Sequence, residues 1–488
     1  MGGTQLLVGE MFANSARAAP TRPAAMVGPD VITYGELDRR ANQVAHTLRG
    51  QGFGHGDRVV VWSATSLDTL PLFVALAKLG AVFAPIGAML NADEAADMLV
   101  TARPALLATD AARAADGARI AAAAGVGAVV AAGLGEGADA SSVTEPALRE
   151  TDPHVLFFTS GSTGRPKGVI LSHRANMLRS YPGALGVTRG PTVCPFPLFH
   201  MAGWTLGLQA WHARELVVFT SPDPAEICAA IERHRAYRLH CIPGIWRRIL
   251  EHLESPEGQA RDVSSLRLTE SATSATPIEL LRAISAAIPS GQVRIFYGST
   301  EAGTVTTLDP GDVERKPGSV GVPGPLAEIR LSDTGELLCR GPMLCDGYFE
   351  NADATADAFV DGWYRSGDLV DVDDEGYVSV VGRARDVIRT GGESVTPPEV
   401  EAALAGHPAL TDVAVVGLPD DTWGEIVCAV VVLAPGADAP TVDDLRAHVG
   451  DRLARFKHPR RVAVVDEIPR TAATKQVQRR LLVEQLTP

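Results

Sequence analysis

Residues 154–173 read HVLFFTSGSTGRPKGVILSH, an apolar run followed by small hydroxylated residues, glycines and one lysine. Glycines let the backbone turn tightly and aim successive N–H groups at one point. Ser160, Ser162, Thr163 and Lys167 add hydroxyl and ammonium donors, so this loop has the makings of a polyphosphate cradle. It is not a Walker A loop, because GxxxxGK[ST] needs glycine where Pro166 stands. On composition alone a Gly/Ser-rich loop with one lysine is usually a flexible linker. The ordered string is more specific than its composition.

Five further stretches carry reactive or charged groups. FYGSTEAG (296–303) sets Thr300 beside Glu301, hard oxygen donors of the kind Mg2+ shares with phosphate. GWYRSGDL (362–369) presents Asp368, whose two carboxylate oxygens can accept from two hydroxyls. GRARDVIRTGGESVTPPEVE (382–401) carries Arg383, Arg385 and the pair Gly391 and Gly392. PRTAATKQVQRRLL (469–482) holds Lys475, and CPFPLFHMAGW (194–204) puts His200 next to Phe199. Each has a plain alternative when it stands alone. A glutamate in a glycine-flanked turn is more often a surface residue or a cap, and Gly-Asp is a common turn. A lysine on a basic tail is often merely solvated, and a lone histidine among apolar residues is more often a satisfied core group.

Taken together and in this order, the stretches resemble the motifs of the adenylate-forming superfamily, which includes acyl-CoA synthetases, aryl-CoA ligases, luciferases and the adenylation domains of peptide synthetases. The resemblance runs from ITYGELDRRAN near the start to the last motif. It implies that Thr159, Ser160, Gly161, Ser162, Thr163, Gly164 and Lys167 cradle the phosphates of ATP. Thr300 would meet the α-phosphate, Glu301 with Thr159 would hold Mg2+, and Tyr297 would lie against the adenine. Asp368 would take the ribose hydroxyls and Arg383 the ribose or phosphate. Lys475 would bridge the substrate carboxylate and the α-phosphate during adenylation, while His200 would sit near the carboxylate and the thiol tunnel. Gly391 and Gly392 would face the site in the thioester step. Arg385 stands at the pivot where most relatives carry Lys or Asp, and Thr474 replaces the glycine that usually precedes the lysine. Peptide-synthetase domains usually place an aspartate in the segment that here reads CPFPLFHMAGW, so an amino-acid substrate is not expected. The stretch 272–275 aligns with a region that is commonly Gly-rich.

Strands alternating with helices must position these groups. A helix is expected through ITYGELDRRANQVAHTLRGQG, a buried strand at DRVVVWS and a second helix through LPLFVALAKLGAVFAP. The Ala-rich stretch 111–140 reads as a helix and strand with alanine filler. A second α/β stretch follows from about residue 153, then short strands and turns after Gly303. Beyond Arg385 helices and strands return in sufficient number for an independent small domain. The expected fold is α/β: a large N-terminal lobe of two α/β subdomains plus a small β-rich subdomain, followed by a small mobile α+β C-terminal domain. The boundary divides 1–384 from 385–488, with the hinge near Arg385.

Composition narrows the function. The 488 residues are 46% hydrophobic and 21% charged, which supports a large core and disfavours disorder. A net charge of -14 repels nucleic acid and anionic lipid at long range, so no nucleic-acid partner is expected. The six cysteines show no CxxC or metal-ligand spacing and read as free thiols in a cytoplasmic protein. No secretory signal or transmembrane stretch is seen. The sequence therefore predicts an ATP-dependent acid–CoA ligase, a monomer or a homodimer, using ATP, Mg2+ and coenzyme A. Apolar residues around Trp204, Leu206, Leu208 and Trp211, with no evident cation for a second carboxylate, favour a fatty or other hydrophobic monocarboxylic acid. Two alternatives stay open: a ligase loading an acyl-carrier protein, and a catalytically inactive nucleotide-binding regulatory protein.

Overall fold

The run RVVVW becomes strand Arg58–Trp62, buried from Val59 to Trp62 because it is an inner strand of a parallel sheet. The computed structural model describes residues 5–159, 166–184, 190–272, 276–391, 393–471 and 475–487. They fall into two compact units. The first takes in 1–318, 323–328 and 339–364, the second 319–322, 329–338 and 365–488.

In the first unit a six-stranded sheet runs in the order Gly127–Val130, Leu106–Thr109, Arg58–Trp62, Val82–Ile86, β1 (Pro153–Thr159), β2 (Lys167–Ser172). The expected second helix is corrected. Helix Thr69–Leu79 ends at Gly80, which adopts φ +71 and donates its N–H to the Leu76 carbonyl, and Val82–Ile86 is a strand. A continuous apolar run does not separate buried helix from buried strand; a left-handed glycine inside it does. The Ala-rich stretch forms helix Ala114–Ala124 and strand Gly127–Val130, as expected.

After β2 come α1 (His173–Ala184) and α2 (Met201–His212), packed on each other. A larger sheet follows the order Asp30–Thr33, Pro23–Val27, Val217–Phe219, Thr192–Cys194, β3 (Arg238–Cys241), β4 (Leu268–Ala272), β5 (Gln292–Ser299), β6 (Gly303–Leu308). β3, β4 and β5 are parallel, and β6 returns antiparallel to β5. A buried aromatic core packs on α2. Trp204 stacks on Phe83 at 5.4 Å and meets Phe73 at 4.2 Å, and Trp211 donates its indole N–H to the Ala24 carbonyl at 2.9 Å.

The chain enters the second unit along β7 (Trp363–Val372), which pairs antiparallel with β8 (Val378–Arg383). Then follow α3 (Pro397–Leu404), the long hairpin β9 (Leu410–Asp420) and β10 (Gly424–Leu433), and α4 (Arg479–Leu486). Alternate residues of this hairpin feed two cores. Val415, Val427, Ala429 and Val431 pack with α3, while Val416, Cys428 and Val430 pack with Leu482 of α4. Burial on both faces explains why EIVCAVVVLAP is apolar without alternation. A pivot and a contact boundary are different properties, so the division at 364/365 leaves the proposed hinge at Arg385 as a separate question.

Candidate active site

β1 and β2 are a hairpin in which Thr159 stands opposite Lys167. The ladder thus fixes both ends of the segment between them. Ser160, Gly161, Ser162, Thr163 and Gly164 lie outside the described residues. Lys167 holds its ammonium 4.9 Å from the centre of the Tyr348 ring, a cation–π contact that positions it at the loop mouth.

Tyr348 also donates its hydroxyl to Oε1 of Glu301 at 2.9 Å. Burial, then the charge of Glu301, pushes the Tyr348 phenol far up, so it stays protonated and donates to the carboxylate. Glu301 is 8% exposed, and the turn that bears it is gripped from beneath. Arg179 of α1 donates Nη1 to the Thr300 carbonyl, Nη2 to the Glu301 carbonyl and Nε to the Met343 carbonyl, each at 2.8 Å. The Cys345 N–H adds a second bond to the Glu301 carbonyl at 2.7 Å. Burial lowers the Arg179 pKa to about 10, which still leaves it charged at neutral pH. A planar guanidinium with fixed N–H directions suits this task; a lysine could not reach all three carbonyls. Sequence reasoning missed Arg179, Cys345 and Tyr348, whose contacts join segments far apart in the chain.

Glu301 and Thr159 carry oxygens of the kind magnesium takes, an ion commonly held by one or two protein oxygens and completed by phosphate and water. Tyr348 occupies one carboxylate oxygen only. Among the described residues no group of three or more His, Cys, Asp or Glu could hold a metal by itself. When bound, the ion would offset phosphate charge.

His200 is the N-cap of α2, its Nδ1 accepting from the Ala202 N–H at 3.1 Å. That bond leaves the proton on Nε2, and burial lowers the pKa to about 4, so the ring is neutral at pH 7. The chemistry open to it is donation from Nε2. From this cap a cavity extends along α2, lined by Met201, Leu206, Gln209, Arg238, His240 and Tyr297 among others. Of the four apolar residues that favoured a hydrophobic acid, only Leu206 lines it. Trp204, Leu208 and Trp211 belong to the buried core, because a helix shows the cavity only one face in three or four residues. No cation for a second carboxylate is evident from the sequence, yet Arg179 and Arg238 both reach the wall.

In the second unit Asp368 on β7 and Arg383 on β8 are register partners, with Arg383 Nε 2.8 Å from Asp368 Oδ1. Two residues assigned separately to the ribose are therefore one ion pair, Asp368 being 6% exposed. Arg385 lies in the short turn Ala384–Asp386 with its side chain 65% exposed. The next residue, Asp386, is anchored by Arg479 at 3.2 Å. Gly391 has φ +60 and donates to the Trp423 carbonyl at 2.8 Å; a Cβ there would come within 2.7 Å of the Trp423 ring. Gly392 is outside the described residues. Lys475 is exposed with φ +56, at a bend where it donates its N–H to the Thr471 carbonyl at 3.0 Å. Thr474 is outside the described residues.

The family model described as AMP-binding enzyme matches residues 12–349, and that described as AMP-binding enzyme C-terminal domain matches 399–475. A feruloyl-CoA synthase of Amycolatopsis sp is 33% identical over 94% of this chain and 95% of its own. A long-chain-fatty-acid–CoA ligase of Mycobacterium tuberculosis is 32% identical over 96% of each. The structure of o-succinylbenzoate coenzyme A synthetase from Bacillus subtilis with ATP and magnesium superposes with TM-score 0.84 at 25% identity, covering 97% of this chain and 98% of the other.

Proposed function

The chain belongs to the AMP-binding enzyme family, as an adenylate-forming acyl-CoA ligase, and from that premise we propose its substrate class and the duties of its residues. The reaction joins a carboxylate to the α-phosphate of ATP with release of pyrophosphate, after which coenzyme A takes the acyl group and AMP leaves; Mg2+ accompanies ATP. The acid is a monocarboxylate with an apolar body. Supporting this, both cavity arginines are engaged before an acid arrives, Arg238 by the Glu270 carboxylate at 2.7 Å and Arg179 by three backbone carbonyls.

Thr159, Lys167 and the loop between them hold the phosphates, Tyr297 the adenine, and Asp368 with Arg383 the ribose. Thr300 and Lys475 serve the α-phosphate, Glu301 with Thr159 the magnesium, and His200 the substrate carboxylate. Gly391 and Gly392 admit the thiol, residues 385–488 form the small domain, and Arg385 is its pivot. The observation that carries the reading is the Arg179 clamp: a buried cation donating to the carbonyls of Thr300, Glu301 and Met343 preorganises the nucleotide end of the site. Six buried free thiols support a cytoplasmic setting, and no helix among the described residues is long and apolar enough to cross a membrane.

Pyrophosphate release and CoA thioester formation across fatty acids of graded length, aryl acids and dicarboxylates test this directly. Turnover of monocarboxylates with free coenzyme A is expected. A preference for dicarboxylates overturns the substrate class; pyrophosphate release without any CoA thioester would favour a carrier-protein acceptor instead.

A further inference from the structure

At the far end of the cavity four side chains form a polar cluster whose hydrogen-bond polarity is dictated throughout. Arg238 and His240 alternate on β3 and so share one face, and Glu270 is the register partner of His240 on β4. Arg238 donates Nε to Glu270 Oε2 and Nη1 to Gln209 Oε1, both at 2.7 Å. His240 Nδ1 lies 3.4 Å from the same Glu270 oxygen. Arg238 and Glu270 have side chains 3% and 0% exposed. Burial pushes the Glu270 carboxyl up, but Arg238 and His240 more than offset this and hold it below the usual range, so it is ionised.

Guanidinium has no acceptor, so Gln209 must turn its carbonyl oxygen to Arg238 and its NH2 elsewhere. Carboxylate has no donor, so His240 must keep its proton on Nδ1 and, when neutral, leave Nε2 as a bare acceptor. Gln209, Arg238 and His240 all line the cavity. Gln209 lies on the α2 face that also presents Met201, Thr205 and Leu206, about 12 Å along the helix from Met201 at ~1.5 Å per residue. A buried ion pair is weak evidence for stability, since desolvation offsets most of its attraction. Here it orients a donor and an acceptor towards one cavity.

We propose that this cluster is a specificity site for a hydroxyl at the end of the acyl group remote from its carboxylate, which donates to His240 Nε2 and accepts from Gln209 Nε2. The proposal rests on the ligase reading above and deepens it: the acid is a monocarboxylate with an apolar middle and a neutral hydroxylated end. A second carboxylate is a poorer guest, because Glu270 already neutralises Arg238. A plain alkyl end strands both polar groups, which is how sites built for a hydroxyl reject its absence.

Calorimetric binding of matched acids tests it without requiring turnover: 8-hydroxyoctanoic, octanoic and octanedioic acid, and 3-(4-hydroxyphenyl)propanoic against 3-phenylpropanoic acid. In at least one pair the wild type should bind the hydroxylated member roughly ten- to hundredfold more tightly. Gln209→Leu and His240→Phe should bring that ratio close to one, and the same ratio should reappear in kcat/KM for thioester formation. Equal affinities within both wild-type pairs, preference for the dicarboxylate, or a ratio unchanged in folded Gln209→Leu would overturn the proposal. Discriminating binding without any CoA thioester would instead strike the ligase reading and leave the specificity site standing.

Discussion

At the scale of single residues, Lys475 and Arg179 lie at opposite extremes. Lys475 is exposed and packs against nothing that its loss would empty, so Lys475→Ala should leave thermal stability unchanged. If it offsets charge at the α-phosphate, pyrophosphate exchange should fall by about 10²–10³, while thioester formation from a supplied acyl-adenylate persists. Exchange at the wild-type rate would remove it from the mechanism. Arg179→Met, by contrast, strands the Thr300 and Met343 carbonyls, the Glu301 carbonyl keeping the Cys345 N–H, and should cost ~3 kcal/mol or more in unfolding free energy as well as activity. Chemical denaturation distinguishes the two outcomes. Lys475 can be nominated from the sequence because PRTAATK is a local string. Arg179 cannot, because its partners stand 121, 122 and 164 residues away and nothing in HRANMLRSY announces them. The same holds for Gln209 and Glu270, ordinary polar residues until α2, β3 and β4 bring them together.

At the scale of elements, the β7–β8 ladder turns two motif residues into one unit. Asp368→Asn and Arg383→Met should each raise the KM for ATP, and the double mutant should raise it by less than the product of the two. A coupling of about 1 kcal/mol or more is expected for contacting residues in one network, and strict additivity would separate their roles. At Gly391, alanine must adopt φ +60 and also displace Trp423, whose ring faces the Arg460 guanidinium at 3.8 Å. Gly391→Ala should therefore destabilise the second unit by ~1–2 kcal/mol, measurable as a lower midpoint of thermal unfolding. An unchanged midpoint would show that the turn relaxes freely. Strand and helix type were readable where flanking signals were strong, as in the helix Tyr34–Gly50 with Thr33 as its cap. They failed at 80–86, where apolar character continues across a change from helix to strand. Which side chains face the cavity was unreadable, since the direction of α2 is set by tertiary packing.

At the scale of the whole molecule, buried histidines should set the acid limit of stability. Burial lowers His173, His200 and His212 to about 4, and lowers His154 as well. Between pH 6.5 and 4 the unfolded chain binds protons that the folded protein refuses, so stability falls as pH drops through this window. For the fully buried His173 the full contribution is ~3 kcal/mol, present above pH 6.5 and gone below about 4. Together the four rings should lower the thermal midpoint measurably between pH 7 and pH 5. A midpoint flat across that range would show that the rings accept protons without unfolding. The broad architecture was legible because the motifs arrive in order along nearly the whole chain; the protonation behaviour was not, since burial belongs to the folded state alone. The clamp around Glu301 has one more implication, which concerns synthesis. Its last partners, Met343, Cys345 and Tyr348, are translated well after the turn they complete. A nascent chain halted before Met343 carries Arg179 and the Thr300–Glu301 turn, yet lacks the Met343 carbonyl, the Cys345 N–H and the Tyr348 hydroxyl that complete the clamp. Nucleotide affinity should therefore appear on the ribosome as a late step rather than growing with each motif as it emerges.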